Sequence, residues 1–499
     1  MRASGILMPI FSLPSPYGIG TFGKKAYEFV DFLQKSGQRY WQILPLCPTN
    51  VGDSPYQSFS SFAGNPYFID LDTLTAEGLL LAGEAAAVDF GDDPHTIDYG
   101  KLYDNRAPLL KKAFARFTPD EDYQAFCIQN AWWLDDYALF MAIKEASGEL
   151  AWSEWDAPLR RRQKAAMKAA AEQYAETVHY HRFVQYQFAK QWQALKAYAN
   201  QNGIRIIGDL PIYVAYDSAD VWADPKQFLL DKRGRPELVA GVPPDAFCEE
   251  GQLWGNPLYD WVAMEADHFA WWKRRLRYTL TLFDTVRIDH FRGFESFFAV
   301  PYGDKDATGG HWIKGPDSAL FADWKATFGD LPIIAEDLGF LTPAVRKMLQ
   351  ESGFPGMKVL QFAFDTREES VYLPHNYARN CVVYTGTHDN DTILGWTKTA
   401  APEDVAFARR YLHVDDEEGF NWAMMRAALG SVADTAILMM QDLIGLGSEA
   451  RINTPSTLGG NWQWRVADGC ANDWLAGIIR ENVALYGRLP KSTPDLEEE

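Results

Sequence analysis

Polar and apolar side chains alternate along residues 283–289, and this period of two predicts a β-strand. Arg287 and Asp289 lie on the same face, near the carboxyl end of the strand. Gly293 then allows the chain to leave the strand. Taken alone, such a pair has two interpretations, a buried structural ion pair or a pair of functional residues.

Three further short apolar runs also end in acidic residues. The runs and their polar ends are 204–214 with Asp209, 331–339 with Glu336, and 381–391 with His388 and Asp389. Runs of this kind are typical of buried parallel strands. In a parallel β/α barrel their carboxyl ends meet at the rim where such enzymes hold their chemistry. The repetition favours this interpretation over four unrelated ion pairs.

The remaining apolar runs complete a set of eight predicted strands. The other four strands are predicted at 5–10, 40–46, 356–365 and 436–447. Apolar residues at helical spacing predict helices at 26–34 and 271–283. We therefore predict the α/β fold class, with residues 1–499 forming a single (β/α)8 TIM barrel that carries insertions.

Two long segments interrupt the barrel pattern. Residues 60–200 show mainly helical spacing and are followed by Asn202-Gly203, a helix stop signal, so we predict an inserted helical subdomain between strands 2 and 3. Residues 212–262 form a second predicted insertion. Within it, residues 243–261 are rich in Pro and Gly, which predicts a loop held over the active site.

Residues 18–23 match the GxGxxG pattern of dinucleotide-binding loops, but their surroundings do not. Pro14 and Pro16 separate these residues from the first strand, and the second strand ends in Leu46-Cys47-Pro48 and not in an acid. We interpret the glycines as residues that shape a loop at the mouth of the barrel.

Composition argues against several partners and compartments. The formal charge of −20 disfavours nucleic acid and anionic membranes as partners. The five cysteines are an odd number without CxxC spacing, which argues against a disulfide framework. No run is long enough to span a bilayer, and the first residues lack the apolar core of a signal peptide. We expect a cytoplasmic protein.

The candidate chemistry is that of carboxylates. The nine histidines are scattered, and there is no HExxH, Walker A or GxSxG sequence, so we expect no metal and no organic cofactor. Cleavage of a glycosidic bond needs one acid to protonate the leaving oxygen and one carboxylate to attack the anomeric carbon. Aromatic rings offer flat apolar faces to sugars. The residues alone indicate a carbohydrate-active barrel.

Motifs along nearly the whole chain resemble the amylomaltases, the 4-α-glucanotransferases or disproportionating enzymes of the α-amylase clan. The motifs that carry the resemblance are SLPSPYGIGTFG, WQILPL, GDSPYQSFSSFAGNPY, IGDLPIYV, GQLWGNPLYDW, VRIDHFRG, IAEDLG, TGTHDND and GNWQWR. The resemblance implies a barrel with inserted, mainly helical subdomains and no C-terminal β-domain. It also implies transfer of α-1,4-glucan segments among maltooligosaccharides and amylose-type glucans, with glucose as a further acceptor.

The resemblance implies roles for individual residues. Asp289 would be the nucleophile of a retaining double displacement, Glu336 the general acid and then the base, and Asp389 a third carboxylate that holds sugar hydroxyls. The residues implied to bind substrate are Tyr56, Asp209, Asp245, Trp254, Arg287 and His388. Arg287 should favour the ionised form of Asp289.

Two other functions use the same residues. A hydrolase would pass the glucosyl-enzyme to water, and a catalytically silent glucan-binding protein would keep the fold without turnover. The presence of all three acids argues against the silent protein. The loop 243–261 favours transfer, because it could hold a sugar acceptor and shield the intermediate from water.

Overall fold

Eight parallel strands close into a barrel in this computed structural model, which describes residues 2–50, 52–244, 249–339, 341–367, 369–415 and 417–490. Each barrel strand pairs with the barrel strands that precede and follow it in the chain, and the first pairs with the last. The predicted (β/α)8 barrel is confirmed. In chain order the strands of the described residues are Ala3–Leu7 (β1), Tyr40–Gln42 (β2), Arg205–Leu210 (β3), Leu238–Val242 (β4), Gln252–Pro257 (β5), Thr285–Ile288 (β6), Ser296–Pro301 (β7), His311–Lys314 (β8), Ile333–Ala335 (β9), Gly356–Val359 (β10), Cys381–Tyr384 (β11) and Thr435–Met439 (β12).

Among the described residues, α-helices lie in every connection between consecutive barrel strands except the one from β10 to β11. The α-helices are Lys24–Lys35 (α1), Leu71–Ala76 (α2), Tyr99–Arg116 (α3), Glu121–Ala146 (α4), Ala157–Arg160 (α5), Lys164–Gln173 (α6), Ala175–Gln201 (α7), Ala219–Ala223 (α8), Trp261–Ala266 (α9), Ala270–Leu282 (α10), Ser318–Phe328 (α11), Pro343–Ser352 (α12), Ile393–Thr399 (α13), Pro402–Leu412 (α14), Phe420–Gly430 (α15), Met440–Leu443 (α16) and Asp473–Leu485 (α17). No helix of the described residues is long and apolar enough to cross a membrane.

Every predicted strand coincides with a barrel strand, but the observed strands are shorter. The predicted strands 356–365 and 436–447 run beyond β10 and β12 into a short helical turn and into α16. Leu360 and Met440, just past the two strand ends, are fully buried. Chain that leaves the barrel at its carboxyl rim stays in the core, so hydrophobicity alone does not mark where each strand ends.

The segment 60–200, between β2 and β3, contains α2 to α7. The long helices α4 and α7 pack against each other in this segment. After β12 the described residues, which end at 490, form α16 and α17 and no further strand. That the helices of 60–200 form a subdomain of their own stays a prediction.

A second sheet, which the sequence did not lead us to expect, lies beside the barrel. Its four antiparallel strands are ordered β5-β4-β7-β8. β4 and β5 belong to the connection that follows β3, and β7 and β8 to the connection that follows β6. The predicted insertion 212–262 therefore shares a sheet with residues 296–314, at the end of the barrel where the acidic residues lie.

The glycines of residues 18–23 are required by close packing. A Cβ atom on Gly20 would lie 1.8 Å from the carbonyl oxygen of Ile10. A Cβ atom on Gly23 would lie 2.1 Å from a carboxylate oxygen of Asp70, the residue that caps α2. These contacts explain the GxGxxG pattern by loop packing, without a nucleotide.

Gly20→Ala should destabilise the protein strongly, because the atom in the way is a backbone oxygen that cannot move aside. We expect a loss of about 3 kcal/mol in the free energy of unfolding, measured by urea denaturation. The matched control is Gly477→Ala in the exposed part of α17, where an added Cβ meets nothing within 4 Å. This control should gain roughly 0.5–1 kcal/mol; equal effects at the two positions would contradict the packing interpretation.

Candidate active site

The barrel register places Asp209 of β3 directly opposite Arg287 of β6. Nη1 of Arg287 donates to both carboxylate oxygens of Asp209, at 2.8 and 2.7 Å. Their side chains are 4% and 0% exposed. Nη1 also lies 3.1 Å from Oδ1 of Asp289, whose side chain is 28% exposed. Arg287 thus joins a fully buried acid to a partly exposed one.

Asp289 and Glu336 follow the ends of two neighbouring strands, β6 and β9. The backbone N–H of Glu336 donates to the carbonyl of Ile288 at 3.0 Å, which extends the ladder between the two strands. The Glu336 carboxylate accepts the backbone N–H of His290 at 2.7 Å and that of Leu338 at 2.8 Å. The residue after Asp289 therefore binds the side chain of Glu336.

Although the Asp289 side chain is partly exposed, its desolvation by the surrounding protein has the largest effect on its pKa. It raises the pKa of Asp289 well above its ordinary value, and the carboxyl groups of Asp209, Glu336 and Asp389 raise it further. Arg287 lowers it. The expected effect of Arg287 is thus present, but the surroundings outweigh it. All three of these carboxyl groups therefore act on Asp289 electrostatically.

Glu336 is also shifted towards its protonated form. Burial raises the pKa of Glu336, while Arg287 and the two backbone N–H donors lower it. A raised pKa favours the protonated form of Glu336, which is the form that a general acid needs.

His388 and Asp389 lie in the turn that follows β11. Nδ2 of Asn453 donates to Oδ1 of Asp389 at 2.6 Å, and the guanidinium of Arg451 donates to the Asp389 carbonyl at 2.7 Å. The backbone N–H of Asn453 donates to the His388 carbonyl at 3.0 Å. The loop after β12 therefore fixes the position of the third carboxylate.

Tyr56 connects Asp209 to His388. Its hydroxyl donates to Oδ2 of Asp209 at 2.7 Å and lies 3.0 Å from Nε2 of His388. The two rings are stacked, with centroids 5.2 Å apart and planes 19° apart. Burial lowers the pKa of His388 and raises that of Tyr56. Both shifts favour the neutral forms of the two rings, which can exchange hydrogen bonds with a polar ligand.

Trp254, on β5, contacts His290, the residue next to Asp289. Its ring meets the His290 ring edge to face, with centroids 4.8 Å apart and an interplanar angle of 82°. Its backbone carbonyl accepts from Gln57 at 3.4 Å. Asp245, the other residue predicted from this loop, lies outside the described residues, and so does part of the loop 243–261.

The structure brings the predicted site residues that it describes into one network of direct contacts and charge interactions. Sequence reasoning missed Asn453, Arg451 and Trp462. Their signal was only the family-like motif GNWQWR and the residues before it. Within the described residues, no three His, Cys, Asp or Glu side chains are grouped so that they could hold a metal ion. The expected absence of a metal stays a prediction.

Carboxyl groups at the ends of adjacent strands of a (β/α)8 barrel, beside buried aromatic and basic side chains, define a carbohydrate-active barrel. Comparison with known proteins gives the family. A family model described as 4-alpha-glucanotransferase (Glyco_hydro_77) matches residues 8–471, so the chain belongs to this family. The predicted resemblance to the amylomaltases is confirmed.

Individual relatives are similar to this chain over nearly their full lengths. A 4-alpha-glucanotransferase of Clostridium butyricum is 50% identical over 485 residues, which are 96% of this chain and 100% of that protein. One from Thermus thermophilus is 51% identical over 481 residues, or 94% and 95% of the two chains. The structure of amylomaltase from Streptococcus agalactiae in complex with acarbose matches with a TM-score of 0.96, at 43% identity over 98% of this chain and 100% of that one.

Arg287→Met should destabilise the protein, because it leaves the fully buried carboxylate of Asp209 without its cation. We expect a loss of about 3–5 kcal/mol in the free energy of unfolding, measured with urea. Lys35→Met is the matched control, since Lys35 lies at the same 2.7 Å from Asp473 but both side chains are exposed. The control should leave stability almost unchanged. If Arg287→Met lowers the free energy of unfolding no more than Lys35→Met does, burial of the ion pair does not determine its contribution to stability.

Proposed function

We propose that the protein is a 4-α-glucanotransferase acting by a retaining double displacement. It breaks an α-1,4 bond in a maltooligosaccharide or amylose-type glucan and transfers the glucan to the 4-hydroxyl of another glucan or of glucose. The observation that carries the proposal is the juxtaposition of Asp289 and Glu336 on neighbouring barrel strands, with Arg287 against Asp289, in a chain of the 4-α-glucanotransferase family.

The first displacement breaks the donor glucan. The Asp289 carboxylate attacks the anomeric carbon, the bond from that carbon to the glycosidic oxygen breaks, and the Glu336 proton passes to this oxygen. Arg287 stabilises the carboxylate against its burial, and positive charge developing on the sugar stabilises it further. The shortened glucan leaves, and the remaining glucosyl chain stays bound to Asp289.

The second displacement transfers the glucosyl chain. Glu336, now ionised, accepts the proton of the acceptor's 4-hydroxyl, while the acceptor oxygen bonds to the anomeric carbon and the bond to Asp289 breaks. The N–H groups of His290 and Leu338 stabilise the ionised form of Glu336 in this step. Two inversions restore the α configuration.

The surrounding side chains hold the sugar beside the broken bond. Asp389, fixed by Asn453, and the neutral pair Tyr56 and His388 supply hydrogen-bond partners for hydroxyls. Asp209 holds Tyr56 and Arg287 in place. We further propose that the same site binds acarbose, as the Streptococcus agalactiae amylomaltase does.

Transfer is favoured over hydrolysis by the sheet next to the site. β5 carries Trp254 against His290, the residue that joins Asp289 to Glu336, where an acceptor sugar would approach. A ring there offers an apolar face to a sugar and displaces water. We propose that Trp254 and Asp245 take part in holding the acceptor. A cytoplasmic location stays a prediction.

Incubation with maltotriose tests the function. A glucanotransferase should convert it to glucose and a series of longer maltodextrins without a rise in reducing ends, followed by chromatography and a reducing-sugar assay. Rising reducing ends would indicate the hydrolase, and intact maltotriose would indicate a silent glucan-binding protein. Either of these results would overturn the proposal.

Asp289→Asn and Glu336→Gln should each lower the transfer rate by about 10⁴-fold or more, since each removes one partner of the displacement. Maltotriose binding, measured by calorimetry, should survive in both variants, because the new side chains have nearly the same shape as those they replace. Asp337→Asn is the control and should keep most of the transfer rate. Asp337 adjoins Glu336 in the chain, but its carboxylate accepts the backbone N–H of Met357 at 2.6 Å and has no part in the proposed displacement. Near-normal transfer by either of the first two variants would rule out the assigned roles.

A further inference from the structure

Trp462 holds a backbone conformation that residues with large side chains rarely adopt. Its φ of 64° lies in the left-handed region, which is normally left to glycine and a few small polar residues. The side chain is buried, with 4% of the residue exposed. A conformation of this kind persists only where surrounding contacts enforce it, and it is concentrated at functional sites.

Hydrogen bonds fix the backbone of Trp462 on both sides. Its N–H donates to the carbonyl of Ile452 at 2.7 Å, and its own carbonyl accepts the Tyr99 hydroxyl at 2.9 Å. Tyr99 is the first residue of α3, in the helical segment between β2 and β3. Near it, the N–H of Ile97 donates to the carbonyl of Gln463 at 2.8 Å. The helical segment therefore fixes the loop that follows β12.

The indole ring contacts both members of the Tyr56–His388 pair. Its centroid lies 5.8 Å from that of Tyr56 and 5.9 Å from that of His388. The two partners are stacked on each other and joined by the 3.0 Å contact between the Tyr56 hydroxyl and Nε2 of His388.

We propose that Trp462 is a positioning residue for the transfer reaction, and that it sets the place of Tyr56 and His388 beside the sugar at the broken bond. The proposal rests on the proposed function, which gives Tyr56 and His388 their role. Three contacts link the helical segment to the site: Tyr99 with the Trp462 carbonyl, the indole with the two rings, and Tyr56 with Asp209. The helical segment between β2 and β3 thereby supports the catalytic site without entering it.

The same substitution at two buried positions tests this role. Trp462→Leu removes the indole beside the site. Trp222→Leu removes an equally buried indole that packs on Phe140 and Trp155, 5.9 and 5.5 Å away between ring centroids. Trp462→Phe keeps a ring at the first position, and Tyr99→Phe removes only the hydroxyl that binds the Trp462 carbonyl. Transfer with maltotriose, acarbose binding by calorimetry and the thermal midpoint are measured for each.

Trp462→Leu should lower kcat/KM for maltotriose by roughly 100-fold, since misplacing positioning groups by about 1 Å has this effect. Acarbose affinity should fall with it. Trp462→Phe should recover most of the loss, and Tyr99→Phe should show a smaller loss in the same two quantities. Trp222→Leu should lower the thermal midpoint while kcat/KM and acarbose affinity stay at the wild-type level.

Equal losses of kcat/KM in Trp462→Leu and Trp222→Leu would overturn the proposal, because both would then reflect general destabilisation. Wild-type kcat/KM and acarbose affinity in a folded Trp462→Leu would overturn it as well. If Trp462→Leu does not fold, Tyr99→Phe and Trp462→Phe decide by the same two measurements. If the wild-type protein does not transfer glucan, the proposed function fails, and acarbose affinity alone decides whether Trp462 positions the pair.

Discussion

The site depends on the ion pairs that the buried guanidinium of Arg287 forms with Asp209 and Asp289. A single nitrogen, Nη1, contacts both oxygens of Asp209 and one oxygen of Asp289. Removing either charge from such a buried pair leaves the other uncompensated, which is far more costly than losing a surface ion pair. The same group that stabilises the junction of β3 and β6 therefore opposes the protonation of Asp289. In the proposed mechanism, one side chain thus serves both the structure and the reaction.

The other acids are positioned by different parts of the structure. Asp289 and Glu336 follow adjacent strands, and the backbone of His290 ties one to the side chain of the other. Asp389 instead depends on the loop after β12, through Asn453. The site is thus divided between a rigid part formed by barrel strands and a part supported by loops. In the proposed mechanism the loop-supported groups bind hydroxyls, whereas bond making and breaking fall to Asp289 and Glu336 at the strand ends, where position is held best.

The sequence predicted the barrel because each strand is a short apolar run, and four of the eight runs carry an acid of the candidate site near their carboxyl end. It did not predict that Arg287 is bound most tightly by Asp209, which lies 78 residues away, because such a partner depends on the register between strands. The antiparallel sheet escaped prediction because β5 contains Gly255 and Pro257, residues that usually mark a loop. The left-handed backbone of Trp462 had no local signal at all.

The antiparallel sheet has a consequence for how this protein could be re-engineered. β4 and β5, which carry Trp254, are hydrogen-bonded through β7 to a hairpin from a different barrel connection. A chimera that grafts only the first hairpin from a relative would leave β7 with a mismatched edge. The two hairpins constitute one transplantable module, formed by a pair of sequence segments on either side of Asp289. If Trp254 holds the acceptor as proposed, both segments must be transferred together to change the preference for the acceptor.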